Sequence, residues 1–126
     1  SETEDFVGFS IHNYDDAKRA VLPFLRLGVE YVALSIDGLG LLLASQQEMM
    51  LATPPKVSIR NVTGAGDALM AGMAYGFARG MDLREIARLG AAFSAIAVTT
   101  VSLASVKNSD VEAMLPRVEV RTVNVM

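Results

Sequence analysis

Residues 61 to 72, NVTGAGDALMAG, set Gly64-Ala65-Gly66 directly ahead of an unbroken helical pattern, and this juncture limits the folds open to the chain. The first N–H groups of a helix have no intrahelical partners. Glycine and alanine at that point leave them uncovered, and the glycines permit a tight approach turn. Such a terminus has to face solvent or an anion, and the helix dipole favours the anion. From Gly66 onward DALMAGMAYGFARG brings the small residues Ala68, Ala71 and Gly72 within a turn or two of each other and closes at Gly80.

The flanking segments predict layers of helix and strand. Asn13 is placed as an N-cap, with Asp15 and Asp16 in the first turn, Ala17, Val21, Phe24 and Leu25 at helical spacing, Gly28 as the close and Pro23 as a candidate kink. EYVALSI at 30–36, the turn signal Asp37-Gly38 and LGLLLAS fit a buried strand, a tight turn and a second strand. QQEMMLATPPKVSIR reads as short strands interrupted by Pro54-Pro55. Asp82 caps a helix through LREIARLGAAFSAIAVTTV, Ser109 or Asp110 caps another through EAML stopped by Pro116, and VEVRTVNV alternates like an edge strand. This order predicts an α/β layered fold with few strands to cover two long helices.

With 126 residues and 52% hydrophobic content the chain can bury the core of one compact domain. The seven methionines, Met70 and Met73 among them, and the five phenylalanines are assigned to that core. The net charge of -3 is spread without a Lys/Arg run, so neither nucleic acid nor an anionic membrane has support as a partner. Without cysteine, disulfides and thiolate metal sites are excluded, and His12, the one histidine, cannot build a zinc site alone. SETEDFVGFS lacks a basic region followed by an apolar core, and Arg84, Glu85 and Arg88 break the later apolar stretches, so the expected setting is soluble and cytoplasmic.

Asp67 sits at the same helix terminus as the open amides. With a phosphate in the amide pocket, its carboxylate is placed to take the proton from a hydroxyl attacking phosphorus. The bland alternative is that Thr63 or Asp67 only caps the helix. Two rival glycine motifs fail on residue chemistry: a P-loop needs Gly-Lys-Ser/Thr where Gly66-Asp67-Ala68 stands, and the dinucleotide fingerprint needs glycine where Leu69 stands, which also disfavours a dinucleotide-dependent oxidoreductase.

NVTGAGDALMAG resembles the second signature of the ribokinase-like, phosphofructokinase B-type carbohydrate kinases. The resemblance implies a three-layer α/β/α sandwich, an anion hole from the amides of Gly64, Ala65 and Gly66, Asp67 as catalytic base, and ATP with magnesium. GVEYVALSIDGLGLLLAS is similar to the family's strand, T-x-G-x-x-G turn and strand, which approach the nucleotide phosphates. Ser35 and Gly40 match, while Asp37 stands where the first glycine is expected and Gly38 comes one residue late. SETED is similar to the N-x-x-E element whose acid organises magnesium, which implies Glu4, with Glu2 the alternative on counting back from Gly8. LGAAFSAIAVTTVSLASVKNSDVEAML resembles the helix, loop and helix flanking adenine, and Ala91 falls at a nucleotide contact that is polar in some members. A monovalent cation such as potassium would be held at Asn61, Thr63, Ala97, Thr100 and Ser102, with Asn61 neutral where many members carry Asp.

The resemblance covers the C-terminal portion of such a kinase only. It implies that residues 1–126 hold the nucleotide side and the base, that the N-terminal substrate-binding half is absent, and that the chain alone is inactive. The implied reaction is transfer of the ATP γ-phosphate to a hydroxymethyl group of a small-molecule sugar or nucleoside. The spelling of NVTGAGDALMAG and of SLASVKNSDVE is nearer to pseudouridine kinases, with a ribokinase- or fructokinase-like sugar kinase as the alternative. A non-catalytic nucleotide- or anion-binding module is the reading from another class. An open sheet edge would favour a homo-oligomer or self-association.

Overall fold

The computed structural model describes residues 14–36, 40–60, 64–100, 102 and 105–124. Asn13, the expected N-cap of the first helix, lies outside them. That helix, α1, runs Tyr14–Arg26, with Asp15 and Asp16 at its start and Arg26 at its end, each charge complementing the dipole. It continues through Pro23, whose ring removes one backbone donor near the C-terminal end without stopping it. Gly28, at φ 93°, then turns the chain out of the helix.

Strands β1 (Tyr31–Ile36), β2 (Gly40–Ser45), β3 (Met49–Thr53) and β4 (Glu119–Val123) form one sheet in the order β1-β2-β3-β4. All three pairings are antiparallel. The β2–β3 turn is built by buried Ser45, whose N–H donates to the Glu48 carbonyl at 2.8 Å while its Oγ accepts from the N–H groups of Gln47 and Glu48. Gln46 ties this turn to the end of α1 by donating to the carbonyls of Leu25 and Val29 at 3.0 and 2.7 Å. Instead of several short strands, QQEMMLATPPKVSIR forms β3 alone. Two successive prolines offer no N–H to a ladder, and residues 54–60 run outside the sheet.

Each face of the sheet carries its own core. Leu34, Ile36, Leu42, Ala44, Met49 and Leu51 pack with Ala17, Ala20, Val21 and Leu25 of α1. On the opposite face Leu41, Leu43, Met50 and Ala52 meet helix α3 (Leu83–Thr99) through Ile86, Ala87, Ala91 and Ala95, with Leu69 of α2 (Ala65–Ala78) and Met114 of α4 (Asn108–Met114) in the same cluster. This is a three-layer α/β/α arrangement. Burial of β2 and β3 on both sides explains why LGLLLAS and MMLA are continuous apolar runs without alternation.

The helix boundaries follow backbone chemistry. Asp82 caps α3 as expected, accepting from the Glu85 N–H at 2.9 Å. Helix α4 begins at Asn108, before either expected cap: Asp110 lies inside the helix and its carboxylate accepts from the Lys107 N–H at 2.8 Å. Helix α2 starts at Ala65, slightly ahead of the periodic pattern, and Gly80 leaves it at φ 65°. Met70 does not join the core. It is 65% exposed, because α2 buries only the stripe of Leu69, Gly72 and Gly76.

Along that stripe the α2 backbone lies against the α3 backbone. A Cβ built on Gly72 would stand 2.6 Å from the Leu89 carbonyl oxygen and 3.1 Å from the Gly90 Cα. Neither neighbour is a flexible side chain, so an added methyl must separate the two helices. Gly72→Ala is expected to lower stability in urea unfolding by about 1–3 kcal/mol despite alanine's better helix propensity. Gly66→Ala, where a Cβ meets nothing within 4 Å, should leave stability unchanged or raise it slightly. Equal midpoints for the two variants would contradict the close-contact account.

Candidate active site

The helix α2 terminus has the form that its residues dictate. Gly64 is the N-cap at φ 86° and ψ -2°, left-handed backbone that favours glycine, and it makes no side-chain cap bond. The Ala68 N–H donates to the Gly64 carbonyl at 2.9 Å as the first bond of the ladder. The N–H groups of Ala65, Gly66 and Asp67 precede it and have no partner within the helix. Asp67 is the third helical residue and not the cap, and it stands exposed in the first turn. Its carboxylate and the three amides therefore share one solvent-facing terminus.

Behind this terminus lies a cleft of about 620 Å³, within the range of small-molecule sites. Four separate segments build it. Ser35 and Ile36 end β1 and Gly40 begins β2; Pro54 to Val57 and Ile59 run along one wall; Ala65 and Leu69 come from α2; Ala91, Ser94, Ala95 and Val98 come from α3. Ser35 and Gly40 of one hairpin thus meet Ala65 and Ala91, distant in sequence, in one cavity. Gly64, Gly66 and Asp67 adjoin Ala65 in the chain and are not among the residues lining the cavity. Asp37 and Gly38 lie outside the described residues.

The wall from 54 to 59 is fixed at both ends. Thr53 pairs with Glu119 in the sheet, and the Arg60 N–H donates to the Val98 carbonyl at 2.6 Å on α3. Sequence reasoning missed this wall because its prolines were read only as strand breakers. Ser94, Ala95 and Val98 were within reach of it, since they follow Ala91 at helical spacing on the same face.

The residues expected around a cation are only partly assembled. Glu4, Glu2, Asn61 and Thr63 lie outside the described residues. Ala97 is buried in α3. Thr100 and Ser102 are in contact: the Thr100 hydroxyl donates to the Ser102 carbonyl at 3.0 Å, and the Ser102 N–H donates back at 3.3 Å. That carbonyl also accepts from the Ser105 hydroxyl at 2.7 Å and from its N–H at 3.1 Å, so a cation there would compete with three donors. Among the described residues no cluster of three or more His, Cys, Asp or Glu side chains could hold a metal ion. The open amides and the cleft fit a nucleotide polyphosphate. No helix among the described residues is long and apolar enough to cross a membrane.

Known proteins share this fold. Residues 1–110 match the family described as pfkB family carbohydrate kinase. The 1-phosphofructokinase of Rhodobacter capsulatus is 36% identical over 88 residues, covering 70% of this chain and 28% of that protein. The 1-phosphofructokinase of Escherichia coli K12 is 26% identical over 123 residues, 98% of this chain and 39% of its own length. Among solved structures, the ribokinase of Thermotoga maritima superposes with a TM-score of 0.73 at 29% identity, over 90% of this chain and 38% of that one. Phosphofructokinase-2 of Escherichia coli superposes at 0.81 with 22% identity, over 91% and 38%, and supports the fold alone. The chain spans under two fifths of the length of these relatives. The ribokinase-like fold, the glycine-capped terminus and the family match agree: this chain belongs to the pfkB family of carbohydrate kinases.

Proposed function

We propose that the chain forms the nucleotide side and the catalytic base of an ATP-dependent kinase acting on a hydroxymethyl group of a sugar. The observation that carries this reading is the convergence of Ser35, Gly40, Ala65 and Ala91 on one cleft, beside a helix terminus with open amides and an exposed carboxylate. The adenosine moiety lies against the Ala91–Val98 face, and the phosphates run toward Ala65. The amides of Gly64, Ala65 and Gly66 hold the charge that builds on the transferring phosphoryl group. An Asp67 oxygen takes the acceptor hydroxyl proton as its oxygen bonds to phosphorus and the bond to the ADP oxygen breaks. Magnesium bound with the nucleotide would supply charge neutralisation, with Glu4 as the residue that would organise it.

The relatives named 1-phosphofructokinase favour a phosphorylated fructose as acceptor. Pseudouridine rests on the spelling of the two motifs alone, and a ribokinase-like acceptor is the other candidate. The acceptor site is proposed to lie in the part of the relatives that this chain does not span. Two features support docking of such a half here. Helix α2 exposes Met70, Tyr75 and Phe77, and the outer edge of β1 has no strand partner among the described residues. The same apolar face and edge would draw two copies of the isolated chain together.

In a full-length kinase carrying this segment, Asp67→Asn is expected to lower kcat by about 10²–10⁴-fold while leaving ATP affinity near that of the parent. Unchanged turnover would remove Asp67 from the base role and favour a non-catalytic nucleotide-binding module. The 126-residue chain alone should show no sugar-dependent ADP release, and its sedimentation coefficient should rise with concentration. Turnover matching full-length relatives, or a monomer at every concentration, would overturn the corresponding half of this proposal.

A further inference from the structure

The cleft wall contains a single ionisable side chain among its described lining residues, Lys56. The rest of the wall is apolar apart from the hydroxyls of Ser35 and Ser94. A nucleotide polyphosphate carries several negative charges, and the helix terminus offers only partial positive charge against them. Lys56 is also held in place from both sides. Pro54 and Pro55 precede it and fix their own φ angles, Thr53 is anchored in the sheet, and Arg60 is bonded to Val98. The backbone of Lys56 is thus bound to the cleft rim while its exposed ammonium keeps the reach of a flexible four-carbon stem.

We propose that Lys56 is the phosphate-recognising cation of this cleft, pairing its ammonium with the nucleotide's phosphates and so selecting phosphorylated nucleotides over the bare nucleoside. The assignment rests on the reading of the cleft as the ATP site. It divides the labour between two walls. The α3 face offers apolar surface to the base, whereas Lys56 and the α2 terminus provide the positive potential for the phosphates. A lysine suits this task as a point charge, since it can follow phosphates that shift during transfer without a fixed bidentate geometry.

Titration calorimetry of the chain with ATP, ADP and adenosine, at low ionic strength and at about 0.15 M salt, tests it. Lys56→Gln is expected to weaken ATP and ADP binding by about tenfold to a hundredfold, to leave adenosine affinity unchanged and to flatten the salt dependence. Lys56→Arg should restore most of the ATP affinity. ATP binding in Lys56→Gln equal to that of the parent overturns the Lys56 assignment while leaving the ATP site standing. A parallel loss of adenosine also overturns it, because the side chain would then be shaping the cleft and not reading charge. Failure of the parent chain to bind either ATP or adenosine overturns the reading of the cleft itself.

Discussion

The contact between the Gly72 position and the Leu89 carbonyl is the constraint on which the rest of the site depends. Two helices whose backbones touch have little freedom to slide, because any shift drives carbonyl oxygen into Cα. Helix α3 is in turn fixed to the sheet through Ile86, Ala87, Ala91 and Ala95. The position of the α2 terminus, two turns before Gly72, is therefore inherited from the sheet by way of α3. Glycine inside a helix costs roughly 1 kcal/mol relative to alanine, and here that loss is the condition for placing Ala65 and Leu69 opposite Ala91 and Ala95.

The sheet tolerates this arrangement because its two outer strands are treated differently. At β4, Arg84 of α3 donates to the Val120 carbonyl at 2.6 Å and Arg88 to that of the adjoining Val118 at 2.7 Å. Two arginines thus tie α3 to the strand beneath it. On β1 the side chains facing the α3 side, Tyr31, Ala33 and Ser35, are exposed. Tyr31 meets Phe77 of α2 edge to face, with ring centroids 4.7 Å apart. The open side of the sheet and the open side of α2 are therefore adjacent, and Ser35 carries that side to the mouth of the cleft.

Much of this was legible in the sequence, for local reasons. Gly64 at a helix start and Asp82 as a cap each state a backbone preference that needs no tertiary partner. Asp67 was legible for the same reason, since its place in the first turn follows from the glycines before it. What escaped depends on tertiary contacts. The wall at 54–59 has no regular periodicity, so nothing marked it as part of a site until its ends were seen pinned to β3 and α3. Met70 and Phe77 carry the composition of core residues, yet only packing decides which side of α2 meets α3. Helix α4 begins before its expected caps because the Asp110 carboxylate reaches back to the Lys107 N–H, and that leaves two alternatives of similar local merit.

Helix α2 makes the wider argument. A helix at the surface of a complete domain shows a polar stripe opposite its buried one. Opposite the buried stripe of Leu69, Gly72 and Gly76, α2 presents Met70, Ala71, Ala74, Tyr75, Phe77 and Ala78, with Asp67 as the one charge in its length. Arg79, just past the helix, lies 3.6 Å over the Tyr75 ring, which covers one aromatic face and leaves the others open. Such a surface has the composition of an interior and lies beside the unpaired β1 edge. Asp67 belongs to the same helix, so whatever covers its outer face also approaches the carboxylate proposed as the base. Under the proposed reading, the acceptor hydroxyl and the dry surroundings that proton transfer needs would arrive together with whatever packs on that face.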